Sequence, residues 1–312
     1  MFSEALGGTL DRASRSRRVR RLVETMPITQ GVVRRFVAGE TTGDAVSAAT
    51  GLVGAGRLVT LDSLGEHVTD PAGARATRDS YLDLLTALAE GGCAAGADVS
   101  LKLTALGQAL PDSGAEIALT HAAEICAAAS AVGCSVTLDM EDHTTADTTL
   151  EVGQLLRKEY GWVGNVLQSN LRRTPGDITA LATEGTRIRL VKGAYREPAS
   201  VAYQRKSEVD EAYRRDLDAL IRSGCYPMIA THDPAMISRA RQQAGQQGRS
   251  ADSWELQMLY GIRTDLAERA VADGYRMRIY LPYGTDWYGY FMRRLAERPA
   301  NVAFFLRALT RR

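Results

Sequence analysis

The sequence predicts an α/β chain folded as a (βα)8 TIM barrel behind an N-terminal helical extension, and three observations predict it. Past residue 55, eight short β-branched or apolar runs alternate with longer helical patterns rich in Ala, Leu, Arg and Glu. The runs recur at intervals of roughly 20 to 40 residues, the period of βα units. Their near-continuous hydrophobicity suits parallel strands covered on both faces. A doubly wound open sheet is the alternative, but no G-x-G-x-x-G follows the first run, and "GAYREP" after the fifth is no phosphate loop.

Taken in order, residues 1–55 read as N-terminal helices and 56–312 as the barrel. The stretch "RASRSRRVRRL" lies among Glu4, Asp11 and Glu24, and transit peptides are poor in acids, so it reads as the solvated face of a helix. The first strand falls in "GRLVTLDSLGE" (56–66). The second, "ADVSLKLT" (97–104), carries Lys102 late, and the third, "CSVTLDME" (134–141), ends at Asp139. The fourth, "NVLQSN" (165–170), ends at Gln168, and Arg189 and Lys192 occupy the fifth, "RIRLVKGA" (187–194). Thr231 and His232 follow the sixth, "YPMIAT" (226–231). The seventh is "WELQMLYG" (254–261), and the eighth, "YRMRIYLP" (275–282), has Tyr280 late. A helix over 287–297 closes the series.

Composition bounds the function. With 38 basic against 37 acidic side chains the formal charge is +1, so no global field points to nucleic acid or an anionic membrane. Cys93, Cys126, Cys134 and Cys225 show no C-x-x-C spacing and suit a reducing cytoplasm. The histidines His67, His121, His143 and His232 form no H-E-x-x-H pair, which argues against a metal-dependent hydrolase. No run reads as a membrane span, and a soluble protein is expected.

A (βα)8 barrel does its chemistry at the C-terminal ends of its strands, where Lys102, Asp139, Gln168, Arg189, Lys192, Thr231, His232 and Tyr280 converge. A structural Lys102–Asp139 ion pair explains two of them; it does not explain the set. Two strand lysines leave open a Schiff-base aldolase or lyase, provided one lysine sits in a dry pocket. In the closing helix, "YGYFMRRLAE", Arg293 and Glu297 stand i,i+4, Arg294 and Glu297 i,i+3, and Tyr290 precedes both arginines by a turn. One glutamate can orient both guanidinium groups, leaving two forks to grip a carboxylate.

With these residues in hand, the chain resembles the proline dehydrogenases in their small single-function bacterial form. The resemblance rests, in order, on "TLDSLGE", "LKLTALG", "VTLDMEDH", "VLQSNLRRT", "RLVKGAYREP", "ATHD", "ELQMLYGIR" and "RIYLPYGTDWYGYFMRRLAERPAN". It implies a distorted barrel holding FAD, which oxidises L-proline to Δ1-pyrroline-5-carboxylate by hydride transfer and passes electrons to a membrane quinone, the first step of proline catabolism. By position it implies that Arg293 and Arg294, with Lys102, grip the proline carboxylate and that Glu297 supports the pair. It sets Tyr280, Leu259 and Tyr290 around the proline ring, and Asp139 beside the lysine as an active-site aspartate. Met140, Gln168, Lys192, Gly193, Ala194, Thr231 and His232 match flavin contacts, and Arg189 matches the arginine at the flavin's reactive ring. The implied setting is the cytoplasm, peripheral to the inner face of the membrane.

Overall fold

The computed structural model describes residue 31 and residues 33–65 and 68–296, apart from the side chains of Arg293, Leu295 and Ala296. The expected N-terminal helices before residue 31 and the expected role of Glu297 lie outside the described residues. Eight parallel strands close into a barrel in chain order: β1 (Leu58–Ser63), β2 (Asp98–Leu101), β3 (Ser135–Leu138), β4 (Gly164–Gln168), β5 (Arg187–Val191), β6 (Tyr226–Ala230), β7 (Glu255–Leu259) and β8 (Met277–Tyr283). β8 pairs back onto β1 over six residues, from Leu58 with Arg278 to Ser63 with Tyr283. Six of the eight sequence runs contain their strand whole; the fourth begins one residue after Gly164 and the eighth stops one residue before Tyr283. Lys102, Asp139 and Lys192 are the first residues past their strands rather than the last within them, because the chain leaves the ladder there to turn into the rim.

Helix α1 (Thr42–Gly54) begins with a reciprocal cap, Thr41 accepting from the Asp44 backbone while Asp44 accepts from that of Thr41. It packs on the outer wall against β1 and β8, the place a helix after the last strand would take in a regular barrel. The outer ring continues with α2 (Pro71–Glu90), α3 (Gly114–Val132), α4 (Ala146–Arg157), α5 (Thr174–Leu181), α6 (Lys206–Arg222), α7 (Pro234–Gln246) and α8 (Thr264–Ala272). Their apolar faces and the outward strand residues, such as Val59, Leu61, Val99, Leu190 and Ile229, form the main core. Helix α3 is long and apolar enough to cross a membrane, contrary to the sequence expectation. Its alanines raise the mean hydropathy, but Ala118, Ala122, Ile125, Cys126 and Ala129 are buried in the core as in any barrel helix.

Helix α9 (Trp287–Ala296), displaced by α1 from the outer wall, packs elsewhere. Tyr288, Phe291 and Met292 join Val33, Phe36, Val37 and Ile262 in a separate cluster, with Leu64 and Leu259 against it. The Trp287 indole donates to Glu40 at 2.8 Å. The last helix therefore lies beside the C-terminal mouth of the barrel, fastened to the segment that precedes α1.

Inside the barrel the filling is charged. Glu255 on β7 accepts from both Nε and Nη2 of Arg278 on β8, at 2.6 and 3.1 Å. Asp98 on β2 faces Arg187 and Arg189 on β5 at 3.2 and 3.3 Å. β2 and β5 are not neighbours in the sheet, so these contacts cross the lumen. Burial would raise the Asp98 carboxyl, but Arg187, Arg278 and Arg189 outweigh it and hold it at about 2. Arg278 likewise holds Glu255 below its usual range against the opposing effect of burial.

Removing one partner of such a pair leaves a buried charge uncompensated. Arg278→Met is expected to lower the unfolding free energy by about 3–5 kcal/mol, with Glu255→Leu added in the same chain recovering much of it, as read by urea denaturation. Carboxyls held low in the folded state stabilise it above their unfolded values. Their contribution should fade as pH falls from about 4 toward the Asp98 value of about 2, and a wild-type unfolding free energy flat across that window would contradict it.

Candidate active site

A cavity of about 620 Å³ opens at the C-terminal ends of the strands. It collects fourteen of the sequence-predicted residues: Lys102, Asp139, Met140, Gln168, Arg189, Lys192, Gly193, Ala194, Thr231, His232, Leu259, Tyr280, Tyr290 and Arg294. Of the others, Arg293 is in α9 with its side chain outside the described residues, and Glu297 lies beyond them.

At the cavity floor the ionic partners differ from the simplest expectation. The near partner of Lys102 is Asp62 on β1, with Nζ at 2.5 Å from Oδ1, whereas Asp139 is 3.9 Å away. Burial raises the Asp62 carboxyl, only partly offset by Lys102, and Asp139 raises it further. Asp139 is instead shared. Its Oδ1 accepts from Arg189 Nη1 at 2.8 Å and its Oδ2 from the Tyr280 hydroxyl at 2.7 Å. The Arg189 guanidinium also lies over the Tyr280 ring, 5.3 Å from its centroid. Burial and the charges of Asp139 and Asp62 push the Tyr280 phenol well above its ordinary value, so the hydroxyl keeps its proton and donates. Sequence reasoning missed Asp62, although "TLDSLGE" placed an acid near the end of β1.

The upper part of the cavity is built by loops. Lys192 donates to Asp210 at 2.6 Å and lies 3.5 Å from Asp233, and Lys206 shares Asp210. Asp233 also caps α7, accepting from Ala235 at 3.0 Å. The backbone N–H of Leu259 donates to His232 Nε2 at 2.9 Å, so a neutral ring carries its proton on Nδ1. Gln168 reaches the Glu141 carbonyl at 2.7 Å. A second strap joins the loops after β3 and β5, where Glu197 accepts from the His143 backbone at 2.9 Å and meets its Nδ1 at 2.5 Å. Val166, Val191, Ala230 and Met258 give the cavity an apolar wall. On α9, Arg294 lies with its guanidinium 5.2 Å from the centroid of the Tyr290 ring, one helical turn back as the sequence spacing required. Arg263, Asp233 and Tyr195 line the cavity as well, with only their place shortly past strand ends as a sequence signal, and so does Lys206, the first residue of α6, which carried no such signal.

Gly193 takes φ +105°, and a Cβ there would run into the side chain of Asn170. Asn170 Oδ1 is buried without a hydrogen-bond partner. Gly193→Ala is expected to lose at least about 2 kcal/mol of stability from backbone strain and the clash together. Adding Asn170→Gly should recover the steric part alone. Full recovery in chemical denaturation would show that the backbone angle carries no strain.

The proline dehydrogenase family model matches residues 45–307. The chain is 44% identical to the proline dehydrogenase of Deinococcus radiodurans, over 89% of this chain and 90% of that one. It is 38% identical to proline dehydrogenase 1 of Bacillus subtilis, over 89% and 91%. A solved structure of proline utilization A (PutA) from Bdellovibrio bacteriovorus, inactivated by N-propargylglycine, is similar at TM-score 0.79 and 26% identity. That likeness covers 86% of this chain and 33% of the other, so the chain spans about a third of the longer protein. High identity to the Deinococcus and Bacillus proteins over nearly their full length, on a barrel whose strand ends converge on one charged cavity, leaves a single conclusion: this chain is an enzyme of the proline dehydrogenase family.

Proposed function

We propose that this enzyme binds L-proline and FAD in the one cavity, oxidises proline to Δ1-pyrroline-5-carboxylate as the first step of proline catabolism, and passes the electrons to a membrane quinone. The observation that carries the reading is the convergence of Lys102, Arg189, Arg294 and Tyr280 beside an apolar wall in a cavity of about 620 Å³. The residues present fit a flavin dinucleotide. Val166, Val191, Ala230 and Met258 suit a flat ring, Lys192 and Lys206 suit a diphosphate, and the side-chain-free Gly193 permits a close approach of ligand to backbone. Met140, Gln168, Lys192, Gly193, Ala194, Thr231 and His232 would hold it. Bound there, FAD supplies the two-electron acceptor that no side chain offers.

The chain's own residues do the rest. Arg293, Arg294 and Lys102 would fix the substrate carboxylate, with Glu297 steadying the arginines, so that a small rigid ring is held in one orientation. Tyr280, Leu259 and Tyr290 would enclose that ring. The cations Lys102, Arg189 and Arg294 disfavour the substrate's ammonium form, and Asp139 partly offsets them, which leaves the amine lone pair to support the forming iminium. Arg189 is the cation that answers negative charge developing at the reacting centre. A Schiff-base aldolase fits less well, because the Lys102 nitrogen is engaged by Asp62 at 2.5 Å rather than set in an apolar pocket of its own. Since the quinone is dissolved in lipid, the reading puts the enzyme in the cytoplasm with peripheral contact at the inner membrane face.

The direct test is a visible spectrum of the purified protein before and after anaerobic L-proline. A flavin spectrum that bleaches is expected; a colourless protein that turns over proline would sink the FAD assignment. Arg294→Ala should raise the KM for proline roughly ten- to a hundredfold, the worth of a charge-assisted hydrogen bond, while flavin content stays normal. Unchanged steady-state parameters would remove Arg294 from the carboxylate clamp.

A further inference from the structure

We propose that Asp98, on the floor of the barrel, is a positioning residue for the reaction: it orients the Arg189 guanidinium from beneath the cavity and balances its charge without reaching the cavity itself. The inference rests on the reading of Arg189 as the cation at the reacting centre.

Asp98 is fully buried and is not among the residues that line the cavity. Its Oδ2 faces Arg189 Nη2 at 3.3 Å and accepts from Thr60 and Thr137, each at 3.0 Å. Its Oδ1 accepts from Ser135 at 2.8 Å, Thr137 at 3.0 Å and Arg187 at 3.2 Å. Three hydroxyls on β1 and β3 thus hold the carboxylate rigid before any arginine meets it. The second fork of Arg189 is tied above, its Nη1 donating to Ser100 at 3.0 Å and to Asp139 at 2.8 Å. Arg189 is therefore gripped at both ends, by the floor carboxylate and by the cavity carboxylate.

Asp98 is also the carboxylate available for that task. Glu255, the other floor acid among the described residues, spends both oxygens on Arg278. Without Asp98, the lower fork loses its anchor, and a side chain with four rotatable bonds depends on Asp139 and Ser100 alone. Such loosening reduces the fraction of molecules with the cation aimed correctly, which lowers turnover more than substrate binding. The competing view makes Asp98 a mere counter-ion to Arg187, needed for folding and silent in the chemistry.

A double-mutant cycle separates the two. Wild type, Asp98→Asn, Arg189→Met and the double variant are loaded with flavin and measured for kcat and KM with L-proline. Asp98→Asn is expected to lower kcat roughly tenfold or more while KM moves less than about threefold. In the Arg189→Met background the same change should make little further difference to kcat. Additive losses, or a lowered Tm with kcat unchanged, overturn the proposal. Removing a negative charge beneath Arg189 should also raise the midpoint potential of the bound flavin, and an unmoved potential overturns it too. If Asp98→Asn does not fold alone, Asp98→Asn with Arg187→Gln removes carboxylate and cation together and carries the same cycle. A wild type that oxidises proline without flavin breaks the FAD reading only, because the cycle is still read in kcat.

Discussion

A charge enclosed by a closed sheet has little water to solvate it, so it must be met by an opposite charge and by directed donors. This barrel is organised around that requirement. Among the described residues, Asp62, Asp98, Asp139 and Glu255 face Lys102, Arg187, Arg189 and Arg278, four of each sign, along the axis of the fold. Alternation in the strands makes the arrangement possible. Ile188 and Leu190, at the even places of "RIRLV", face the helices while Arg187 and Arg189 face the lumen. The same sheet thus carries an apolar outer surface and a polar inner one, and the helical ring supplies the burial that stabilises the whole.

The charges form two levels with different duties. At the floor, Glu255–Arg278 and Asp98–Arg187 lie beneath the cavity, with Asp98 held by strand hydroxyls. At the rim, Asp62–Lys102 and Asp139–Tyr280 border open space. Arg189 belongs to both, bonded downward to Asp98 and upward to Asp139. A ligand's charge arriving at the rim therefore meets groups already fixed by their neighbours, which is the condition under which an electrostatic site acts without reorganising.

The strands were legible because parallel strands covered on both faces appear as continuous apolar runs, and eight of them at a βα period leave few topologies. Their ends were less legible. Lys102, Asp139 and Lys192 continue the local pattern of the run, and two of them still bond to the neighbouring segment, Asp139 N–H to the Leu101 carbonyl at 2.8 Å and Asn170 N–H to the Lys192 carbonyl at 2.9 Å, so only the sheet reveals where regular pairing stops. The cavity residues were legible largely through long motifs such as "RLVKGAYREP". Asp98 and Glu255 were not, since a lone acid within a strand run has no partner nearby in sequence; Asp98 meets Arg189 only because β2 and β5 face across the lumen. The place of α9 was equally hidden. Its sequence announces a helix with two arginines, but α1, some 240 residues earlier by the barrel's own register, decides where that helix can lie.

That placement bears on how the molecule comes to be assembled. Strands β2 to β7 can each join a neighbour already made, whereas closure awaits β8, and the wall carrying Tyr290 and Arg294 comes after it. This wall also docks on Val33, Phe36 and Val37, at the opposite end of the described chain, so its contacts have among the largest sequence separations in the fold. Contacts of that kind form late. A nascent chain would thus hold the cavity floor before it holds the mouth, and the pocket would stay open to large ligands until α9 has been made and docked.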